Sequence, residues 1–205
     1  MGDTPLDLLV VGLGNPGAQY VGTRHNVGAD VAFLLAERYG GRLKLSKKER
    51  TLLDEVRIGA KRVALAFPQT YMNESGFSVG MLARRYDLTE DDAERIVIVH
   101  DELDLPPASV KVKRGGGLAG HNGLRSIKAH LKTDGFLRVR IGIGKPPGGK
   151  ERGVDHVLRR PSKQELESLV VSVHEAADAV EKILNDGVDR AMELYNRREK
   201  SAPQE

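Results

Sequence analysis

The chain has 205 residues, of which 40% are hydrophobic and 30% are charged, and its formal net charge is +3. This length and composition fit one globular domain that buries roughly 70% of the surface that its unfolded chain exposes. Because cysteine is absent, the composition excludes a disulfide framework, a thiolate metal site and a cysteine nucleophile.

The first predicted strand, residues 7–11, begins so early that no room remains before it for a signal or transit peptide. No apolar run reaches the ~18 residues that a membrane span needs. Together with the missing cysteines, these features predict a soluble, cytoplasmic protein without a membrane partner.

A glycine-rich turn, GLGNPG at residues 12–17, follows this strand and matches the GxGxxG pattern of dinucleotide-binding folds. In those folds the third glycine already lies in a helix, and an acidic residue about 20 positions further on binds the ribose. Here Pro16 interrupts the turn, and Asp30 and Glu37 fall in a helical pattern instead of at a second strand end. We therefore expect no nucleotide cofactor.

Short apolar or alternating runs predict five further strands, at residues 55–58, 62–67, 95–99, 109–113 and 136–143. The last one alternates, with Val139 and Ile141 on one face and Arg138 and Arg140 on the other. One face is therefore predicted to be buried and the other basic. A basic, glycine-rich segment of this kind suits either a phosphate backbone or a solvated loop.

Helical stripes fall between the strands. One starts at Val27, and two others follow Asn73 and His121. Near the carboxyl end, Ser162 and Glu165 form a capping box before a long apolar stripe. The sequence thus predicts at least four helices among the strands.

Strands interspersed with helices predict an α/β fold with a single three-layer domain and a mixed, twisted sheet flanked by helices. The sheet is expected to be mixed because residues 55–58 and 62–67 are separated by a short turn that favours a hairpin. The domain should span residues 1–198, followed by a disordered tail at residues 199–205.

Three local patterns suggest other chemistry. Residues 76–80, GFSVG, match a serine nucleophile elbow, but Ser78 falls in a helical stripe and not after a strand. Residues 113–117, KRGGG, lack the GK[ST] ending of a P-loop. The acidic run after His100 has no accompanying metal-ligand spacing, so we expect no metal.

His25 and Asp101 are the candidate catalytic pair. His25 stands where a helix begins, which favours the uncharged imidazole of a general base, and Asp101 stands at a strand's carboxyl end, where α/β sheets place ligand crevices. If the two meet, the base can deprotonate water. The residues alone leave open whether His25 is a base or a structural histidine, and whether the asparagines beside the turn glycines bind substrate or cap turns.

Six blocks of the chain, taken in order, resemble the bacterial peptidyl-tRNA hydrolase family. They are GLGNPGAQYVGTRHNVG, PQTYMNESG, HDELDLP, GGGLAGHNGLRSI, FLRVRIGIGKP and DHVL. The resemblance implies a monomeric enzyme that hydrolyses the ester between peptide and tRNA and releases both, without cofactor or metal. One departure is Ala119, where the family more often has glycine, so the path of the loop before Asn122 is open.

The resemblance also implies individual roles. His25 is the catalytic base, and Asp101 is its partner. The implied substrate-binding residues are Asn15, Tyr20, Met72, Asn73 and Asn122, and the implied tRNA-binding residues are Lys113 and Arg140. A rival hypothesis is an RNA-binding relative that keeps the fold and these residues but has lost hydrolysis.

Overall fold

The computed structural model describes residues 5–146 and 153–197, and its centre is a seven-stranded mixed sheet. The strands are β1 (Leu8–Gly12), β2 (Lys44–Ser46), β3 (Thr51–Ile58), β4 (Lys61–Pro68), β5 (Ile96–Glu102), β6 (Val110–Arg114) and β7 (Leu137–Gly142). Their order across the sheet is β2-β3-β4-β1-β5-β7-β6.

The middle of the sheet is parallel and its two edges are antiparallel. β1 pairs in parallel with β4 and β5, and β5 pairs in parallel with β7. β3 and β4 form the predicted hairpin, in which Ile58 faces Lys61 and Gly59 has a positive φ of 62°. Glycine adopts this backbone region without steric cost, which explains the tight turn.

Helices cover both faces of the sheet. They are α1 (Val27–Arg38), α2 (Ser75–Arg85), α3 (Asn122–Leu131), α4 (Gly153–Leu158), α5 (Lys163–Asp186) and α6 (Val188–Asn196). One buried cluster joins the sheet to α1, α5 and α6, and a second joins the opposite face to α2 and α3. The single three-layer α/β domain is therefore confirmed.

The strand β1 shows why the central sequence is continuously apolar. Leu9 packs in the cluster with α2 and α3, while Val10 packs in the cluster with α1 and α5, and both are fully buried. A strand covered on both faces has no polar side to alternate with, so its sequence is an uninterrupted apolar run.

The structure extends the predicted elements. The predicted capping box is confirmed, since the Ser162 hydroxyl accepts from the Glu165 amide and the Glu165 carboxylate accepts from the Ser162 amide. β2 and α4 are additional short elements. α6 is also additional, because Gly187, with a φ of 86°, ends α5 and the chain starts a new helix at the next residue. The predicted tail at residues 199–205 lies outside the described residues.

Two glycines bring α1 against the central strands. A Cβ at Gly12 would collide with the backbone of Gly28, and a Cβ at Gly28 would collide with the carbonyl of Val99. The amide of Leu13 donates to that same carbonyl at 2.9 Å. This close approach places the start of α1, with the preceding turn, beside the carboxyl ends of β1 and β5. Within residues 5–146 and 153–197, no helix combines the length and apolarity needed to cross a membrane.

Candidate active site

A cleft of about 610 Å³ opens at the carboxyl ends of β1 and β5. The residues that line it are Asn15, His25, Tyr71, Met72, Asn73, Asp101, Glu102, Leu103, Asp104, Ala119, Gly120, His121, Asn122, Gly153, Val154, Val157 and Leu158. Six of the nine predicted site residues line this cleft, although they come from segments spread over more than 100 positions of the chain.

His25 and Asp101 form the centre of this cleft. His25 lies in a 3₁₀ turn, Arg24–Asn26, directly before α1, and Asp101 lies near the end of β5. His25 Nδ1 is 2.7 Å from Asp101 Oδ1, with side-chain exposures of 13% and 3%. Because the carboxylate only accepts, Nδ1 carries the proton and Nε2 is the basic nitrogen.

A second histidine binds the same carboxylate oxygen. His121 Nε2 is 3.3 Å from Asp101 Oδ1, while its Nδ1 accepts from the amides of Gly123 and Leu124 and so caps the start of α3. Nδ1 is therefore unprotonated and Nε2 is the donor. Sequence patterns do not indicate this role of His121, because only the folded chain brings the helix cap against β5.

These contacts set the protonation of the pair. Burial alone would raise the pKa of Asp101, but the charge of His25 and the hydrogen bonds of His121 and His25 outweigh it, so this pKa lies well below its ordinary value. Burial alone would lower the pKa of His25, but the charge and hydrogen bond of Asp101 outweigh burial, and the pKa is raised. Asp101 is thus the anion and His25 the group that exchanges a proton.

Asn15 is held rigidly at the cleft wall. Its backbone amide and carbonyl exchange hydrogen bonds of 2.9 Å with the side chain of Asn26, and its own Oδ1 accepts from the amide of Met72 at 2.8 Å. Since Oδ1 is occupied, Nδ2 is the group that Asn15 can offer to a ligand.

The other predicted binding residues lie at different depths. Asn73 is exposed in the 3₁₀ turn Met72–Glu74, while Met72 itself is buried. Asn122 begins α3, and its Oδ1 accepts from Arg125 at 2.5 Å. Tyr20 lies in a separate 3₁₀ turn and is not among the described residues that line the cleft.

The predicted basic face of β7 requires a correction. Arg138 is only 1% exposed, and its guanidinium donates to the carbonyls of Gly115 and Gly117, so it holds the glycine-rich loop from inside. Lys113 pairs with Arg138 across the strands and is half-buried, and Arg140 lies 3.7 Å from the Glu102 carboxylate. The alternation of residues in β7 predicted that Arg138 and Arg140 share one face. It did not predict that the glycine-rich loop covers Arg138 on that face.

Ala119 adopts a positive φ of 49° in the loop before His121. A glycine has no steric cost in this region, whereas an alanine does. The loop therefore keeps a glycine-type backbone even though its residue has a methyl group, and Ala119 lines the cleft.

His25, Asp101 and His121 also form the one group among the described residues whose atoms could hold a metal ion, since their ligand atoms lie within 4.8 Å of one another. Hydrogen bonds already account for this proximity. His121 Nδ1 is used as a helix cap, and both remaining contacts are of the N–H to carboxylate type. A metal would have to replace these protons.

The serine of the GFSVG motif lies away from the cleft. Ser78 is fully buried within α2, and its hydroxyl donates to the carbonyl of Arg50 at 3.0 Å. It has no access to a substrate, so the nucleophile elbow is excluded by the position of the residue.

If the chain hydrolyses an ester as the resemblance implies, Ser78→Ala should retain that activity. The same change should lower the free energy of unfolding by about 0.5–1.5 kcal/mol, because one buried hydrogen bond is lost. Denaturant unfolding and turnover of a tRNA ester substrate check the two parts. An inactive but folded variant would restore the serine hydrolase hypothesis.

The fold and the cleft define an α/β protein with a histidine–aspartate pair and several amides at the carboxyl edge of a mixed sheet. Residues 9–203 match the family model described as peptidyl-tRNA hydrolase. The chain belongs to the peptidyl-tRNA hydrolase family.

Individual relatives agree with this assignment. The chain is 49% identical over 183 residues to the peptidyl-tRNA hydrolase of Nocardia farcinica, covering 89% of this chain and 93% of that protein. It is 50% identical over 190 residues to that of Pseudarthrobacter chlorophenolicus, covering 92% and 94%. The crystal structure of peptidyl-tRNA hydrolase from Acinetobacter baumannii superposes with a TM-score of 0.86 at 39% identity, covering 96% and 98%.

Proposed function

We propose that this chain hydrolyses the ester bond between peptide and tRNA in peptidyl-tRNA, with water activated by His25. The observation that carries the proposal is the 2.7 Å hydrogen bond between His25 and the buried Asp101 at a cleft lined with side-chain amides. Family membership supports the substrate, since the relatives carry the name peptidyl-tRNA hydrolase.

The proposed reaction needs one base and no covalent intermediate. His25 Nε2 takes a proton from water, and the hydroxide attacks the ester carbonyl to form a tetrahedral oxyanion. Asp101 stabilises the imidazolium that forms, and the amide Nδ2 of Asn15 donates to the developing oxyanion. The imidazolium then protonates the departing ribose oxygen. An alcohol leaves more readily than an amine, so this base can suffice.

The asparagines can also distinguish a peptide from a free amino acid. Asn73 and Asn122 have amides that can pair with the N–H and C=O groups of a peptide. A free aminoacyl ester offers a charged ammonium at the same place, which such amides do not match. Met72 completes the proposed substrate-binding set within the cleft. Tyr20 lies in a turn outside the cleft lining, and its substrate role stays a prediction from the family resemblance.

The proposed tRNA contact lies on the strands beside the cleft. Lys113 on β6 and Arg140 on β7 lie on the same face of the sheet, close to the strand that carries Asp101. Cations at this position can bind phosphates near the ester without recognising the base sequence of the tRNA.

We expect Lys113→Ala or Arg140→Ala to weaken tRNA binding and to reduce the slope of log K against log salt by about one, because each removes one phosphate contact. Binding titrations at several salt concentrations measure this slope. Lys182→Ala is the control, since Lys182 lies on α5 and pairs with Asp186. An unchanged slope in both variants would exclude these residues from the tRNA interface.

The decisive experiment compares two esters of the same tRNA. N-acetylaminoacyl-tRNA should release its acyl group rapidly, and the unacetylated aminoacyl-tRNA should remain largely intact. Binding of both without release would instead support the RNA-binding relative that lacks hydrolysis.

The proposed substrate also suggests where and how the chain acts. Peptidyl-tRNA arises during translation, so we place the protein in the cytoplasm. We also propose that the chain acts as a monomer, as the family resemblance implies.

A further inference from the structure

The residue before His25 has an extensive set of contacts that the reaction does not use. The Arg24 side chain is 7% exposed. Its Nη1 donates to the carbonyls of His156 and Arg159 at 3.2 and 3.0 Å, and its Nη2 donates to Glu165 Oε1 at 2.6 Å. One guanidinium therefore joins the turn of His25 to two segments more than 130 positions away.

These acceptors lie at the junction of α4 and α5. The last carbonyls of a helix have no partner within it, and Arg24 donates to one of them, that of His156 in α4, and to the carbonyl of Arg159 directly after the helix. Glu165 also accepts from the Ser162 amide in the capping box of α5. The planar guanidinium, with several donors in a fixed geometry, fits this set of acceptors as an ammonium does not.

The joined segment α4 forms an apolar wall of the cleft. Val154, Val157 and Leu158 line it, together with Leu103 from the end of β5. Val154 is 65% exposed, although it lines the same cleft as His25. A side chain of a bound peptide would bury this surface, while the amides of the cleft bind the peptide backbone.

We propose that Arg24 is a positioning residue that sets the apolar α4 wall at a defined distance from His25 and thereby governs binding of the amino-acid side chain next to the ester. This rests on the proposed function. It assigns Arg24 to substrate fit, not to proton transfer. The preferred substrates are peptides whose esterified residue is large and apolar.

The contact persists over the working pH range. The Arg24 hydrogen bond, with those of Ser162, lowers the pKa of Glu165 to about 2. The carboxylate is therefore charged at neutral pH, and the position of α4 does not titrate with the activity of His25.

The test measures kcat and KM for N-acetylphenylalanyl-tRNA and N-acetylglycyl-tRNA with Arg24→Lys and Arg24→Met. We expect KM for the phenylalanyl ester to rise by roughly tenfold, because its phenyl ring no longer buries apolar surface against the α4 wall. KM for the glycyl ester and kcat for both esters should change by less than about twofold. The pH dependence of kcat should keep its position. Arg38→Met is the matched control, because Arg38 pairs with Asp178 and Glu181 on α5 but does not reach α4.

A second measurement does not depend on catalysis. The backbone amide of Arg159 donates to the carbonyl of Asp155 in α4, and the hydrogen exchange of this amide should accelerate in Arg24→Met but not in Arg38→Met. If Arg24→Met fails to fold, Glu165→Gln keeps a capping-box residue while removing the charge, with the exposed Glu167→Gln as its control.

The outcomes separate the two proposals. If the wild-type chain releases neither acyl group, the proposed function fails. The role of Arg24 in substrate binding then fails as well, even if hydrogen exchange shows that Arg24 holds α4 in place. If release occurs but both esters lose kcat equally, or if exchange at Arg159 is unchanged, the positioning role is wrong while the function stands.

Discussion

Replacing His25 with alanine should lower kcat by roughly 10² to 10⁴ while leaving tRNA affinity nearly unchanged. The imidazole is the group that accepts the proton from water, and a methyl group cannot replace it. The side chain is mostly buried against Asp101 and is not among the residues proposed to bind phosphate, so tRNA binding should be preserved. Single-turnover release from N-acetylaminoacyl-tRNA and a separate binding titration measure the two quantities.

His174→Ala is the control for this change. His174 is an exposed histidine on α5 near Arg38 and has no contact with the cleft. Normal turnover in His25→Ala would contradict the mechanism, and a parallel loss in both variants would point to a nonspecific effect.

Replacing Asp101 with asparagine should lower kcat by roughly 10² to 10⁴, because the imidazolium formed during the reaction loses its counter-charge. The replacement keeps an oxygen at Oδ1, where both His25 and His121 donate, so the geometry can persist. The change therefore isolates the effect of charge.

The same variant should change the pH profile. Asp101 raises the pKa of His25, and only the unprotonated base is active, so activity increases as the pH passes above that raised value. Without the carboxylate the pKa of His25 falls, and the acid limb of kcat/KM should move to lower pH while the plateau drops. Asp91→Asn, at an exposed position, is the control. An acid limb that stays in place would show that Asp101 does not set the basicity of His25.

The glycine-rich turn after β1 has a structural explanation that differs from nucleotide binding. Gly17 has a φ of 113° and lies outside α1, and Asp30 lies within that helix. Gly12 instead gives the backbone of α1 room to approach the sheet. The turn therefore serves to bring Asn15 and His25 to one cleft.

Local sequence patterns predict much of the architecture. The period of apolar residues predicted the central strands and the long helix α5, and hydrogen bonds confirm the Ser162–Glu165 capping box. The hairpin after Ile58 follows from a two-residue turn with glycine. These features depend on residues within a few positions of one another, so a single sequence contains the signal.

The site depended on contacts between distant segments. The amino-acid sequence was enough to predict an α/β domain and to exclude thiol chemistry, and its six blocks carried a family resemblance that implied roles for His25 and Asp101. Three features became visible in the folded chain alone: His121 donates to the same carboxylate, Arg138 is buried under a loop, and Arg24 joins the cleft wall to the turn that carries His25. Burial and hydrogen-bond partners arise from packing between strands and loops that are remote in the chain, whereas the period of apolar residues shows only which face of one element is apolar.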